Sequence, residues 1–254
     1  MATWVIALLS NGPAWFTVEK IIVGIVMSLV ILSASIWHYG ARYDMYARKH
    51  WDPIYIKNPI SLIYAGGLGF LTSIGIAITF LPFACTAIAS LNAILIILYG
   101  KWIDRFWPWK NLAIAGICIT PLLMGWFSGH RLHPIVLSLI CATFLMYLAR
   151  EILKDVVDKK ANQGLRFTMV MSLGTSICLK IAGLLLLLAT VPIIYAFIGA
   201  PTFIQIFNGM GVGFLVWFVY QLFQEKNYVK TFKLIDIEVG IILLNLLLLR
   251  TWMY

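Results

Sequence analysis

Four polar residues share one helical face in REILKDVVDKKANQG, residues 150–164: Glu151, Asp155, Asp158 and Asn162. Counted from Glu151 they recur at the three- and four-residue steps that build a stripe along an α-helix. Lys154 stands four residues before Asp158 on an adjacent face, the spacing of a helical ion pair. Acidic side chains so placed can hold a divalent cation. Mg²⁺ takes one or two carboxylates and fills the rest of its shell with substrate phosphates and water, so Asp155 and Asp158 are candidate metal ligands. Arg150, Lys154 and Arg166 are candidates for direct contact with phosphate oxygens. The bland alternative is an amphipathic connector with a solvated charged face, and spacing alone favours that alternative.

The elements that must position this stripe follow from composition. Of 254 residues, 62% are hydrophobic and 11% charged, and the mean hydropathy is +0.93. A soluble domain cannot hide that much apolar surface, so the natural solvent is a bilayer. Only helices and closed barrels satisfy their backbone in lipid. Barrel strands would alternate polar and apolar residues, whereas the apolar runs here are long and continuous. The fold class is therefore all-α: a multispan membrane helical bundle forming one domain over 1–254. Spans are expected at 21–39, 60–80, 83–100, 111–128, 132–149, 177–198, 202–223 and 235–253. The break at Leu81-Pro82 follows from the bias of a pre-proline residue against helix. Residues 2–16 form either a tilted ninth helix or an interfacial segment, which gives eight or nine spans.

The net charge of +9 would suggest nucleic acid in a soluble chain. In a multispan protein the cytoplasmic loops collect Lys and Arg instead, so no nucleic-acid partner is expected. Fifteen of the nineteen Lys and Arg fall in 40–59, 101–110, 150–176 and 224–234, and those loops are assigned to the cytoplasm. Two of them, 40–59 and 150–176, are long, and each follows a span. That arrangement suggests two similar halves facing one another across a site.

A family resemblance bears on the stripe. AREILKDVVDKKANQGLRFTMVMSLG (149–174) resembles the second aspartate-rich motif of the UbiA superfamily of intramembrane prenyltransferases, roughly A-R-D/E-I-x-K-D-x-x-D-x-x-x-D…T-L-P-V-x-L-G. Arg150, Glu151, Lys154, Asp155, Asp158, Thr168, Leu173 and Gly174 match. Asn162 stands where the third aspartate belongs, and Val170 replaces the proline. Upstream, LYGKWIDRFWPWKNLAIAGICITPLLMGW (98–126) resembles the family's tyrosine-and-basic loop and the helix after it, through Tyr99, Lys101, Arg105, Asn111, Gly125 and Trp126. The resemblance runs from about residue 20 to the C-terminus. It implies a helical bundle around a central cavity open to lipid. In it Mg²⁺ grips a polyprenyl diphosphate, and an allylic carbocation alkylates an aromatic or lipid acceptor.

The first aspartate-rich motif departs from the family's N-D-x-x-D-x-x-x-D. In GARYDMYARKHWDP (40–53), Gly40 replaces the asparagine, Ala41 the first aspartate and Arg48 the last, so only Asp44 survives. Asp44 and Arg48 then either pair with each other, or Arg48 meets the diphosphate in place of an ion. The favoured expectation is a divergent homologue with impaired or lost prenyl transfer. It would hold an isoprenoid, quinone, carotenoid or chlorin, or serve as a structural subunit beside other membrane subunits. The alternatives are an active, Mg²⁺-dependent prenyltransferase and, less favoured, a transporter. Membrane lipids and an isoprenoid diphosphate or pigment are the expected partners.

Other features read more plainly. Cys85, Cys118, Cys141 and Cys178 lie in apolar segments without metal or disulfide spacing. Lys180 is expected to snorkel. Asp236 and Glu238 are expected to cap the last span, and Trp102, Trp107 and Trp109 to anchor at lipid headgroups. His130 and His133 alone are a weak metal signal.

Overall fold

Each long apolar run becomes one helix, because lipid offers its backbone no other partner. The computed structural model describes residues 18–41, 43, 59–128, 134–164, 167–226 and 228–253, with the side chains of Lys101, Glu238 and residues 242–253 outside that description. The helices are α1 (Val18–Ala41), α2 (Pro59–Phe80), α3 (Phe83–Lys101), α4 (Trp109–Phe127), α5 (Pro134–Val157), α6 (Lys159–Asn162), α7 (Met169–Leu173), α8 (Thr175–Ala196), α9 (Thr202–Phe223) and α10 (Tyr228–Met253). A 3₁₀ turn over Ile103–Arg105 joins α3 to α4. Among the described residues the nearest thing to a sheet is one bridge between Phe106 and Phe167.

Seven of these helices are long and apolar enough to cross a membrane: α1 to α5, α8 and α9. They coincide with the first seven expected spans, and the eighth expected span lies within α10. The expected count of eight or nine is not reached among the described residues: seven helices qualify, α10 does not, and 2–16 lies outside them. Large apolar side chains point outward, with Phe83 87% and Tyr64 75% exposed. In water such a surface would aggregate; in lipid it is the solvated face.

Two cores hold the bundle. One gathers Val23, Val26, Val30, Phe70, Cys85 and Ala89 from α1, α2 and α3. The other gathers Leu139, Met146, Leu153, Leu179, Leu186 and Leu215 from α5, α8 and α9. The α1–α2 contact is backbone-close. A Cβ on Gly66 would lie 2.8 Å from the Trp37 amide nitrogen and 2.9 Å from the Ser33 carbonyl oxygen. Only glycine permits that approach, the usual way helices associate where lipid supplies no hydrophobic drive.

Three boundaries differ from the sequence reading, each for a local reason. Residues 150–157 are not loop. They continue α5 without interruption, so the charged stripe begins on a rigid helix rather than on a connector. Lys110, counted among the loop charges, lies in the first turn of α4 and is buried. Helix α10 begins two turns before Asp236, so that carboxylate sits inside the helix and caps nothing.

Candidate functional site

Helices α1, α3, α4 and α5 enclose a cavity of about 390 Å³, closed on one side by Val239 of α10. That size lies within the range of small-molecule sites. Its wall is mostly apolar and includes Met27, Asn92, Cys118, Pro121, Thr143 and Tyr147. Pro121 sits inside α4 and has no amide to give the Ile117 carbonyl; the Thr120 hydroxyl donates to that carbonyl instead. Asn92 is buried, and its side-chain oxygen has no hydrogen-bond partner.

Beyond the cavity wall, toward the C-terminal end of α5, the protein becomes polar. Tyr147 lines the cavity, and one turn further along α5 stand Arg150 and Glu151, with Asp155 a turn beyond them. Helix α4 runs the other way and contributes Lys110 and Asn111. Lys110 and Asp155 form an ion pair with both side chains buried to within 2% of full enclosure. The 3₁₀ turn adds Asp104, which is buried and accepts a 2.9 Å hydrogen bond from the Tyr99 hydroxyl. The ring of His38, near the end of α1, lies 5.7 Å from that of Tyr99. The bridge between Phe106 and Phe167 holds the 3₁₀ region against the segment that leads into α7.

Arg150 is committed elsewhere. Its guanidinium donates to Glu151 Oε1 at 2.9 Å and to Asp236 Oδ2 at 2.9 Å, with Nε 2.8 Å from Asp236 Oδ1. It also lies 4.9 Å over the Phe232 ring. Arg150 therefore ties α5 to α10, and Asp236 is its partner rather than a cap.

Several buried polar atoms remain without a hydrogen bond: Asp155 Oδ2, Glu151 Oε2, Thr168 Oγ1 and both amide atoms of Asn111. Buried polar atoms are normally satisfied, so a group of them on neighbouring turns fits a place shaped for a polar ligand.

The expected site residues sort as follows. Glu151 and Asp155 are buried one turn apart on α5, and Asn162 is buried at the end of α6. Asp158 is half-buried between α5 and α6, where its amide still donates to the Lys154 carbonyl at 2.8 Å, and the two side chains form no ion pair. Tyr99 is buried and Arg105 exposed. Lys101 lies at the end of α3. Asp44, Arg48, Arg166, His130 and His133 lie outside the described residues. Two site residues escaped the sequence reading: Lys110, masked by its place in a basic loop, and Asp104, whose only cue was its distance from Tyr99.

Among the described residues, Asp155 and Asp158 do not by themselves assemble a metal site. One oxygen of Asp155 pairs with Lys110, one oxygen of Glu151 accepts from Arg150, and Asp158 is only half-buried. No three His, Cys, Asp or Glu side chains converge for a metal among the described residues. The Lys110 ammonium cancels the charge of Asp155, so the pair as a whole offers a divalent ion little net attraction.

No family model matches the chain. Curated relatives do. The digeranylgeranylglyceryl phosphate synthase of Methanococcus aeolicus is 31% identical over 57% of this chain and 53% of its own length. Those of Methanoculleus marisnigri and Methanopyrus kandleri are 38% and 33% identical over 44% of this chain, and 40% and 41% of theirs. The chain thus spans about half, or less, of the curated relatives it matches. A solved structure from work on digeranylgeranylglyceryl phosphate synthase in membranes superposes with a TM-score of 0.82. The match covers 98% of this chain and 91% of that one at 18% identity, which shows a shared fold.

Proposed function

From the premise that these relatives and this fold support a place in the UbiA superfamily, we propose that the protein is a membrane prenyltransferase. Its seven apolar helices and its membrane-enzyme neighbour support an integral membrane protein. The observation that carries the reaction is a pair of buried N–H donors at one end of an apolar cavity, the unsatisfied Asn111 amide nitrogen and the Lys110 ammonium beside it in sequence. A ligand with a polar head and an apolar tail matches that division, and a prenyl diphosphate is such a ligand.

The names of the relatives point to a product carrying two geranylgeranyl chains on a glyceryl phosphate. A synthase of that product joins a prenyl chain to a glyceryl phosphate lipid. In this reading the C–O bond between the prenyl carbon and the diphosphate breaks. The acceptor hydroxyl oxygen bonds to the allylic carbon, and its proton leaves with the diphosphate. Charge grows on the leaving group, so preorganised donors nearby favour the transition state. Asn111 offers an amide, and Lys110, Lys154 and Arg105 carry positive charge at the same end of the bundle. The apolar wall from Met27 to Tyr147 keeps water from the cation. The basic loops face the cytoplasm, where a soluble diphosphate product would be released.

The scaffold reading rested on the altered motif at 40–53, which lies outside the described residues. Neither the relatives nor the described residues support a loss of activity.

The test is incubation of the purified, bilayer-embedded protein with geranylgeranyl diphosphate and a geranylgeranylglyceryl phosphate acceptor. The reading predicts equal release of diphosphate and of a doubly prenylated lipid, with both lost in Asn111→Leu. Neither product forming, under conditions where the Methanopyrus kandleri relative turns over, would overturn it.

A further inference from the structure

The charge at the heart of the polar cluster is built into the chain. We infer that Lys110 is the resident cation of this site, so that Asp155 is neutralised by a covalently tethered ammonium and does not ligate a divalent metal. The inference stands whether or not the chain transfers prenyl groups.

The argument rests on placement. Lys110 is one of the largest fully buried side chains in the protein. Its backbone is fixed where it stands, with its amide donating to the Phe106 carbonyl at 3.0 Å. The opening of α4 is set by Pro108 before Trp109. The Lys110 side chain is buried at 1% exposure, with its ammonium turned inward to Asp155. To admit a metal at Asp155, the ammonium would have to remain buried beside two more positive charges.

Among the described residues, other carboxylates do not offer a way round. Glu151 accepts from Arg150, and Asp236 pairs with the same guanidinium. Asp104 accepts from Tyr99, and Asp158 is only half-buried beyond the end of α5. The cluster is thus two acid–base couples, Lys110 with Asp155 and Arg150 with Glu151 and Asp236, and not a ring of acids awaiting a cation.

The consequence differs from metal-based ionisation. A tethered ammonium is present before any substrate arrives and cannot be chelated away. Together with the Asn111 amide on the next residue, it presents N–H donors to an anion without recruiting an ion from solution.

The test uses Mn²⁺, a paramagnetic stand-in for Mg²⁺, with the full chain in nanodiscs. Bound Mn²⁺ is counted by electron paramagnetic resonance, alone and with a non-hydrolysable prenyl thiolodiphosphate. Three proteins are compared: the unaltered chain, Asp155→Asn, and the charge-neutral pair Lys110→Met with Asp155→Asn, which keeps the comparison possible where the single variant fails to fold. Even the outer-shell partner of a metal ligand is worth about tenfold in affinity, so that factor separates the outcomes. The expected result is Mn²⁺ affinity changed less than that by loss of Asp155, or no uptake by any of the three. Loss of Mn²⁺ binding by about tenfold or more in the folded Asp155 variant, single or double, would overturn the inference. Failure of the thiolodiphosphate to bind any of the three speaks against the transfer reaction and leaves the Mn²⁺ comparison without it to decide this one.

Discussion

Asp155 and Arg150 lie little more than one turn apart on α5, yet their ion pairs are built in opposite ways. Asp155 meets Lys110 with both side chains sealed from solvent, and the contact joins α5 to α4. Arg150 meets Asp236 with the guanidinium 22% exposed and the carboxylate 48% exposed, and that contact joins α5 to α10. The exposed couple has one hydrogen bond and a second close contact, backed by an aromatic ring. The sealed couple has the higher stakes. Desolvation of two charges is recovered only while both partners remain, so removing either leaves an uncompensated buried charge. One pair fixes the heart of the site, and the other fastens its rim.

The largest effect expected from breaking that contrast is at the sealed pair. Asp155→Asn or Lys110→Met alone should destabilise the protein by about 3–5 kcal/mol, and the double variant by clearly less than the sum. A thermal or denaturant melt in detergent micelles reads this. Next comes Tyr99→Phe, which removes one donor from the buried Asp104 carboxylate. It should cost about 1–3 kcal/mol in the same melt. The rim pair should matter less: Asp236→Asn should cost at most about 1 kcal/mol. That small loss should shrink further at high salt, while the loss in Asp155→Asn should not, because only the exposed pair is screened. The smallest effect on stability is expected at Asn111→Leu, about zero or slightly stabilising, since an apolar side chain removes two unsatisfied amide atoms. The same variant should abolish binding of a prenyl thiolodiphosphate by calorimetry, which separates a ligand role from a structural one.

How far the sequence carried depended on whether the determining contact was local. Spans were legible because lipid thickness fixes helix length, so the run 202–223 matches α9 residue for residue and Leu81-Pro82 marks the turn between α2 and α3. The pairing of Glu151 with Asp155 was legible because its spacing is a property of one helix. What was not legible involves two helices. Nothing near Lys110 announces that it will meet a residue 45 positions away. Nothing near Asp236 announces Arg150, 86 positions earlier. A basic residue at a span end reads as a loop charge until the helix facing it is known. The same blindness bears on Asp155: its family motif was visible, and its Lys110 partner was not.

A structure of the protein with a prenyl thiolodiphosphate bound tests the central claim most directly. The account predicts the diphosphate within hydrogen-bonding distance of the Asn111 amide, the prenyl chain along Met27, Cys118 and Tyr147, and Lys110 still paired with Asp155. A diphosphate seated away from Asn111, or a metal between it and Asp155 with Lys110 displaced, would contradict it.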